Sequence, residues 1–195
     1  EHEIMFTGMG GQGVQLAAQI LTRAATLEGR EVMFLGIYGG TMRGGNTDST
    51  IVLADHPISS PPIVSRLGFA LAMHHAFWPP IACKLRPGAA VVLNSSVFEA
   101  SVDRDEFQVF DVPATRIANE LGSPMAASLV LLAAFANLTS AASLDTLIEA
   151  MAESLPVYRQ AHREANERAL RAGMDLLPHG GLSLWQDAKA RVHSA

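Results

Sequence analysis

The amino-acid sequence predicts an α/β protein, with an open, mostly parallel sheet flanked by helices and a helical C-terminal part. Three observations carry that expectation. Near the start, an apolar run breaks into glycines, passes into a helical pattern and is followed by a second apolar run. Further short apolar runs recur as far as Pro113. Beyond it, strand-like runs give way to helical spacing.

"HEIMFTG" is a short apolar run ending in glycine and reads as a buried strand. From Gly13 to about Glu28, the positions Val14, Ala17, Ala18, Leu21 and Ala25 follow the three-and-four spacing of a helix, which Gly29 closes. "EVMFLG" is the second strand and completes the strand–helix–strand unit from which parallel sheets are built. After "IYGGTMRGGN" comes "TDSTIVLAD", a third strand, and then "LGFALAM" (Leu67 to Met73). "HAFWPPIACKL" reads as a short helix started or interrupted by Pro79-Pro80. "GAAVVLN" (Gly88 to Asn94) and "FQVFDVP" (Phe107 to Pro113) are the fifth and sixth strands. Four helices are expected after them, over Ala114–Leu121, Met125–Leu138, Leu144–Glu153 and Val157–Leu176. No internal repeat, low-complexity tract or long linker interrupts the 195 residues, so one domain is expected, with residues 1–113 as sheet core and 114–195 as a mainly helical part packed on it.

Composition narrows the function. The chain is 49% apolar but only 17% charged, against about 25% in an average soluble protein. Either a large core or surface hidden against other subunits produces such a balance. A net charge of -5 without a Lys/Arg cluster argues against nucleic acid. The single cysteine, Cys83, rules out an internal disulfide and an iron–sulfur cluster held by this chain alone. "MAASLVLLAAFANL" (Met125 to Leu138) is too short to span a bilayer easily and contains Ser128 and Asn137. No signal peptide precedes the first strand, so a cytoplasmic location is the default expectation.

"FTGMGGQGVQLAAQIL" puts four glycines into the six positions Gly8 to Gly13. Gly8, Gly10 and Gly13 satisfy G-x-G-x-x-G between a strand and a helix, where the phosphate-binding fingerprint requires it. A helix start carries unpaired N–H groups and partial positive charge, and glycines let an anion approach them. The competing reading is a tight strand-to-helix turn with no ligand. An NAD site also wants an acidic residue at the end of the second strand. Leu35, Gly36, Ile37 and Tyr38 stand there, which speaks against an ordinary dehydrogenase. "YGGTMRGGNTDS" (Tyr38 to Ser49) follows that strand, so it is expected at the same sheet edge as the first loop. It supplies one fixed cation, Arg43, flanked by glycines, though a solvated surface turn reads equally well.

Together, "GMGGQG", the following "AAQILTRAATLEGREV" and "YGGTMRGGNTDSTIVLAD" resemble the gamma subunit, or gamma domain, of the 2-oxoacid:ferredoxin oxidoreductases. These thiamine-diphosphate and iron–sulfur enzymes oxidise pyruvate, 2-ketoisovalerate, 2-oxoglutarate, indolepyruvate, phenylglyoxylate and related acids, often in anaerobic metabolism. The resemblance runs from the first strand to "NERALRAG" at Asn166 to Gly173. It implies a Rossmann-like gamma domain that assembles the complex and contributes to the coenzyme A site. Coenzyme A phosphates are expected near Gly8, Gly10, Gly11, Gln12 and Gly13, with Tyr38, Thr41, Arg43 and Gly44 as the opposing wall. Asn94 and Ser95, at the end of the fifth strand, are added from topology. Thiamine diphosphate with its Mg and the iron–sulfur clusters are expected in partner chains, namely thiamine-binding alpha/beta-type subunits and a ferredoxin-like subunit. The sequence agrees in lacking a GDG followed by a paired Asn. The acceptor is left open between ferredoxin and NAD, and the 2-oxoacid is unspecified. Two rivals stand beside this reading, a stand-alone dinucleotide-binding reductase and a structural module without ligand.

Other candidates carry less. His74-His75 are adjacent residues, expected to point apart and to make a poor chelate, and read as strand-end turn histidines. Cys83, in an apolar stretch, is expected to be a buried small hydrophobe. Asp103, Asp105 and Glu106 read as a solvated turn, and "YRQAHREANERALRAG" as an exposed helix face. The 125–138 helix is apolar nearly all round and must be covered, by this domain or by a partner. No Ser–His–Asp, zinc-ligand or paired-carboxylate set stands out, and the chain reads as catalytically incomplete by itself.

Overall fold

The computed structural model describes residues 1–38, 44–59, 62–155 and 157–185. Six strands form one sheet: β1 (His2–Met9), β2 (Glu31–Tyr38), β3 (Asn46–Ala54), β4 (Leu67–Ala72), β5 (Leu85–Asn94) and β6 (Gln108–Val112). Their order across the sheet is β2-β3-β1-β4-β5-β6. β1, β4, β5 and β6 pair in parallel, whereas β3 is antiparallel to both β1 and β2. The helices are α1 (Val14–Leu27), α2 (Pro79–Ala82), α3 (Ala114–Glu120), α4 (Ala127–Thr139), α5 (Leu144–Ser154) and α6 (Arg163–Met174). The sheet is therefore mostly parallel, as expected, and helices make up the C-terminal part. No helix among the described residues is long and apolar enough to cross a membrane.

The first strand–helix–strand unit departs from expectation in one respect. β1 and β2 run in the same direction, but β3 lies between them. The connection over residues 39–45 is the reason. It is much shorter than the dozen or so residues a parallel return requires, so β3 turns back antiparallel along β2. Its other edge then pairs with β1, Phe6 opposite Ser49 and Met9 opposite Asn46.

Helices cover the two faces of the sheet unequally. On one face Ile4, Phe6, Leu53 and Leu71 pack under α1 and α4, with α5 and α6 packed on those helices. On the other, Met5, Ala70, Val91 and Leu93 meet Trp78 and Ile81. Because its strands are covered on both faces, the sheet's centre reads as unbroken apolar runs. α1 turns Val14, Ala17, Ala18, Leu21 and Ala25 inward, as its spacing predicts.

All 13 residues of α4 are buried within this chain, which decides between core and partner for that helix. α1, α3, α6, β4 and β5 pack around it. α6 fits closely because Gly173 lies against α4, where an added Cβ would collide with the Val130 carbonyl and stand 2.7 Å from Ala133 Cβ. The charged stretch of α6 is thus one face of a packed helix, with Asn166, Ala169, Leu170 and Gly173 buried on the other. The end of α4 is closed by the segment after α6. Gly180, Leu182 and Leu184 donate their N–H groups to the carbonyls of Asn137, Leu138 and Thr139 at 2.8, 2.9 and 2.8 Å.

Two further expectations are corrected. Cys83 is exposed. It ends the short helix α2, whose buried residue is Ile81, so the apolar flanks point inward and the thiol outward. His74 and His75 do not point apart, because their rings stack at 4.4 Å with 30° between planes. His74 is still extended (φ -156°, ψ 147°) while His75 begins a 3₁₀ turn, and this change of backbone brings both rings to one side. Asp103 behaves as expected of a solvated turn, its carboxylate accepting from the N–H groups of Asp105 and Glu106.

Candidate anion-binding cleft at the glycine loops

The chain leaves β1 through α1 toward the β2 side and leaves β4 through α2 toward β5. The loops after β1 and β4 therefore diverge, which in open α/β sheets marks the ligand crevice at the strands' carboxyl ends. The Gly8–Gly13 loop lies at that point. Gly8 is a packing glycine: an added Cβ would sit 2.9 Å from both Met73 Cβ and Val14 Cγ2. Gly11 (φ +103°) and Gly13 (φ +78°) have backbones that only glycine adopts freely, and a Cβ at Gly11 would meet nothing within 4 Å. Backbone at Gly11 is thus open to an approaching group.

Gly13 is the N-cap of α1, and it offers no side chain to cap the helix. No acidic residue occupies the first turn either. A 14-residue helix accordingly begins with uncapped N–H groups and its partial positive charge facing the loop. Gln12 does not reach outward. Its Oε1 accepts from the Met9 N–H at 2.8 Å, and its own N–H donates to the Met9 carbonyl at 3.1 Å, so it closes the loop from within.

The second loop reaches the same edge, as expected. The Gly10 N–H donates to the Gly45 carbonyl at 2.8 Å, and the Gly44 N–H to the Gly10 carbonyl at 3.2 Å. Beneath them lies Asp48, a buried carboxylate held by Thr7 Oγ1 at 2.7 Å and Asn46 Nδ2 at 2.8 Å. Gln15 Nε2 donates to the Asp48 carbonyl at 2.8 Å. Tyr38 closes β2 opposite Thr47. Thr41 and Arg43, and the side chain of Tyr38, lie outside the described residues.

A cleft of about 780 Å³ opens beside the first loop, within the roughly 300–1,000 Å³ of small-molecule sites. Gly10, Gly11 and Gly13 line one wall, Ser128 and Leu129 of α4 another, and Asn166 of α6 a third. The structure does not bring Asn94 and Ser95 here. Asn94 is fully buried, its Oδ1 accepting from the Thr115 N–H at 3.1 Å and its Nδ2 donating to Thr115 Oγ1 at 2.8 Å, so it fastens the start of α3. Ser95 borders a separate groove with Phe98 and Arg104, and β4 separates β5 from β1. His74 stands beside the switch point with its pKa below the ordinary imidazole value, chiefly through burial and then through the neighbouring charge of His75.

Sequence reasoning missed Ser128 and Asn166. A single signal for Ser128 was present, a hydroxyl in the first turn of an otherwise apolar helix.

The model of the pyruvate ferredoxin/flavodoxin oxidoreductase family matches residues 3–176. The chain belongs to that family. The 2-oxoglutarate synthase subunit KorC of Methanothermobacter thermautotrophicus is 33% identical over 184 residues, covering 91% of this chain and 96% of KorC. The pyruvate synthase subunit PorC of Methanothermobacter marburgensis is 28% identical, with 92% and 99% covered. In fold, the chain resembles the gamma subunit of the keto/oxoacid ferredoxin oxidoreductase of Geobacter sulfurreducens, at TM-score 0.73 and 24% identity over 90% of this chain and 97% of that one. It also resembles about 30% of a chain of the 2-oxoglutarate:ferredoxin oxidoreductase of Magnetococcus marinus, at TM-score 0.79 and 19% identity over 90% of this chain. That structure holds 2-oxoglutarate, coenzyme A and succinyl-CoA. Within the pyruvate ferredoxin/flavodoxin oxidoreductase family the chain is a gamma-type subunit, part of an oxidoreductase whose catalytic centre lies in other subunits.

An iron–sulfur cluster does not fit the residues of this chain alone. Cys83 is the single thiol and is unable to ligate a cluster alone. Among the described residues, no three His, Cys, Asp or Glu side chains converge as a metal site.

Proposed function

We propose that this gamma subunit binds the phosphate groups of coenzyme A at its glycine-loop edge, in a complex converting a 2-oxoacid and coenzyme A to acyl-CoA and CO2. Thiamine-binding alpha/beta-type subunits and a ferredoxin-like subunit are its partners in a cytoplasmic assembly. Thiamine diphosphate there supplies the decarboxylation, and iron–sulfur clusters carry the two electrons to ferredoxin or NAD. This chain positions the acyl acceptor. The observation that supports the reading is the open backbone at Gly11 before the uncapped start of α1. Gly10 and Gly13 share that cleft wall, and Gly44 is fastened to it. Tyr38, Thr41 and Arg43 complete the opposing wall in this proposal. Asn94 and Ser95 are left out of it.

Gly11→Val tests the assignment in the assembled complex. The added side chain occupies the anion's space and forces a β-branched residue to positive φ. The KM for coenzyme A is expected to rise at least tenfold while the KM for the 2-oxoacid holds. An unchanged KM for coenzyme A in an intact complex rules the phosphate assignment out. Native purification tests the partners. Recovery of the chain without a thiamine-dependent subunit sinks the complex.

A further inference from the structure

Beside the glycine loop, two polar side chains line the cleft without a hydrogen-bond partner among the described residues. Ser128 is 4% exposed and Asn166 is 9% exposed. Neither is among the side-chain atoms sealed from solvent without a partner, so both polar groups open into the cleft, where a ligand can reach them. Ser128 Oγ lies 2.6 Å from where a Cβ on Gly13 would stand, so its hydroxyl faces the start of α1. Ser128 and Asn166 belong to the first turns of α4 and α6, helices of 13 and 12 residues. The beginnings of three helices thus converge on this cleft, and none has a side-chain cap. α1 and α4 lack an acidic residue in the first turn, while α6 carries the exposed Glu164. Convergent N–H dipoles with a hydroxyl and a carboxamide suit a phosphate oxygen.

We infer that Ser128 and Asn166 are further ligand-binding residues, donating hydrogen bonds to a phosphate of coenzyme A seated at the open Gly11 backbone, beside the starts of α4 and α6. The inference rests on the coenzyme A reading above and adds two residues from outside the glycine loops. Its test uses the assembled complex carrying Ser128→Ala or Asn166→Asp, with coenzyme A and with pantetheine, which has no phosphate. Loss of a hydrogen bond to a charged group, or a carboxylate placed against it, is expected to raise the KM for coenzyme A about tenfold or more. The KM values for pantetheine and for the 2-oxoacid are expected to stay at wild-type levels, which a general distortion of the cleft would not allow. Parallel increases for coenzyme A and pantetheine overturn the inference. So does a coenzyme A KM within about twofold of wild type in both variants. If Gly11→Val raises that KM while these two do not, the glycine-loop site stands and only the added residues are wrong. If Gly11→Val has no effect either, both assignments fall. Should Ser128→Ala fail to assemble, Asn166→Asp decides alone.

Discussion

Gly10 and Gly44 are joined through their backbones, the Gly44 N–H donating to the Gly10 carbonyl at 3.2 Å beside the Gly10 N–H donation to Gly45 at 2.8 Å. These bonds carry the β1–β3 ladder past its last pair, Met9 with Asn46, into the two loops. The loops are therefore one backbone unit, and a change in either moves the other. Gln12 keeps the first loop closed through the Met9 N–H. Gln12→Ala removes that acceptor without touching Gly10 or Gly44, at a cost of about 1 kcal/mol. Faster amide hydrogen exchange is expected at both Gly10 and Gly44. Unchanged protection at Gly44 would show that the loops open independently.

Thr7 and Asp48 set the floor under this unit. Thr7 is fully buried and donates its hydroxyl to Asp48 Oδ1 at 2.7 Å. Thr7→Val keeps the shape and removes the donor from a buried carboxylate. Stability is expected to fall by about 2 kcal/mol. Urea denaturation of the purified chain reads this as a lower midpoint with an unchanged slope. A midpoint equal to wild type contradicts it.

Much of this arrangement was legible in the sequence because it depends on local chemistry. Gly11 and Gly13 stand where positive φ is needed, and the spacing from Val14 to Ala25 marks one buried face of α1. The all-round apolarity of α4 likewise foretold that it would be covered, but not that this chain rather than a partner would cover it. Strand order was not legible, since the place of β3 follows from a short connection and from which edge remained for β1. Asn94 was visible as a polar strand end, but its consumption by Thr115 depends on where α3 packs. Ser128 and Asn166 come to share a cleft with Gly13 through tertiary packing of α4 and α6, and no spacing rule connects positions so far apart.

His2 provides a pH test. Its ring is half-buried, edge-on to Trp185 at 5.7 Å and to Phe69 at 6.4 Å. Burial, as the leading cause, lowers its pKa below the ordinary 6.5. Between the folded-state value and 6.5 the unfolded chain binds more protons, so stability rises with pH across that window. On acidification it is lost from about pH 6.5 downward, and the loss stops below the folded-state pKa. His2→Phe removes this contribution. The wild type is expected to lose thermal stability more steeply than the variant between about pH 7.5 and about pH 5. Parallel curves would show that His2 does not report on folding.

Gly173 sets helix propensity against packing, and packing is expected to win. In an isolated helix Gly→Ala gains about 1 kcal/mol. Here the added methyl would collide with the Val130 carbonyl and stand 2.7 Å from Ala133 Cβ. The Val130 carbonyl is backbone within a helix buried on all sides, so it has nowhere to retreat. α6 must shift outward, and overpacking of this kind costs about 1–3 kcal/mol. Gly173→Ala is therefore expected to destabilise the chain despite its better propensity, lowering the urea midpoint. Because α6 carries Asn166 into the cleft, the same displacement is expected to raise the KM for coenzyme A in the assembled complex. A variant as stable as wild type would mean that α4 and α6 separate freely, and the close Gly173 contact would lose its structural role.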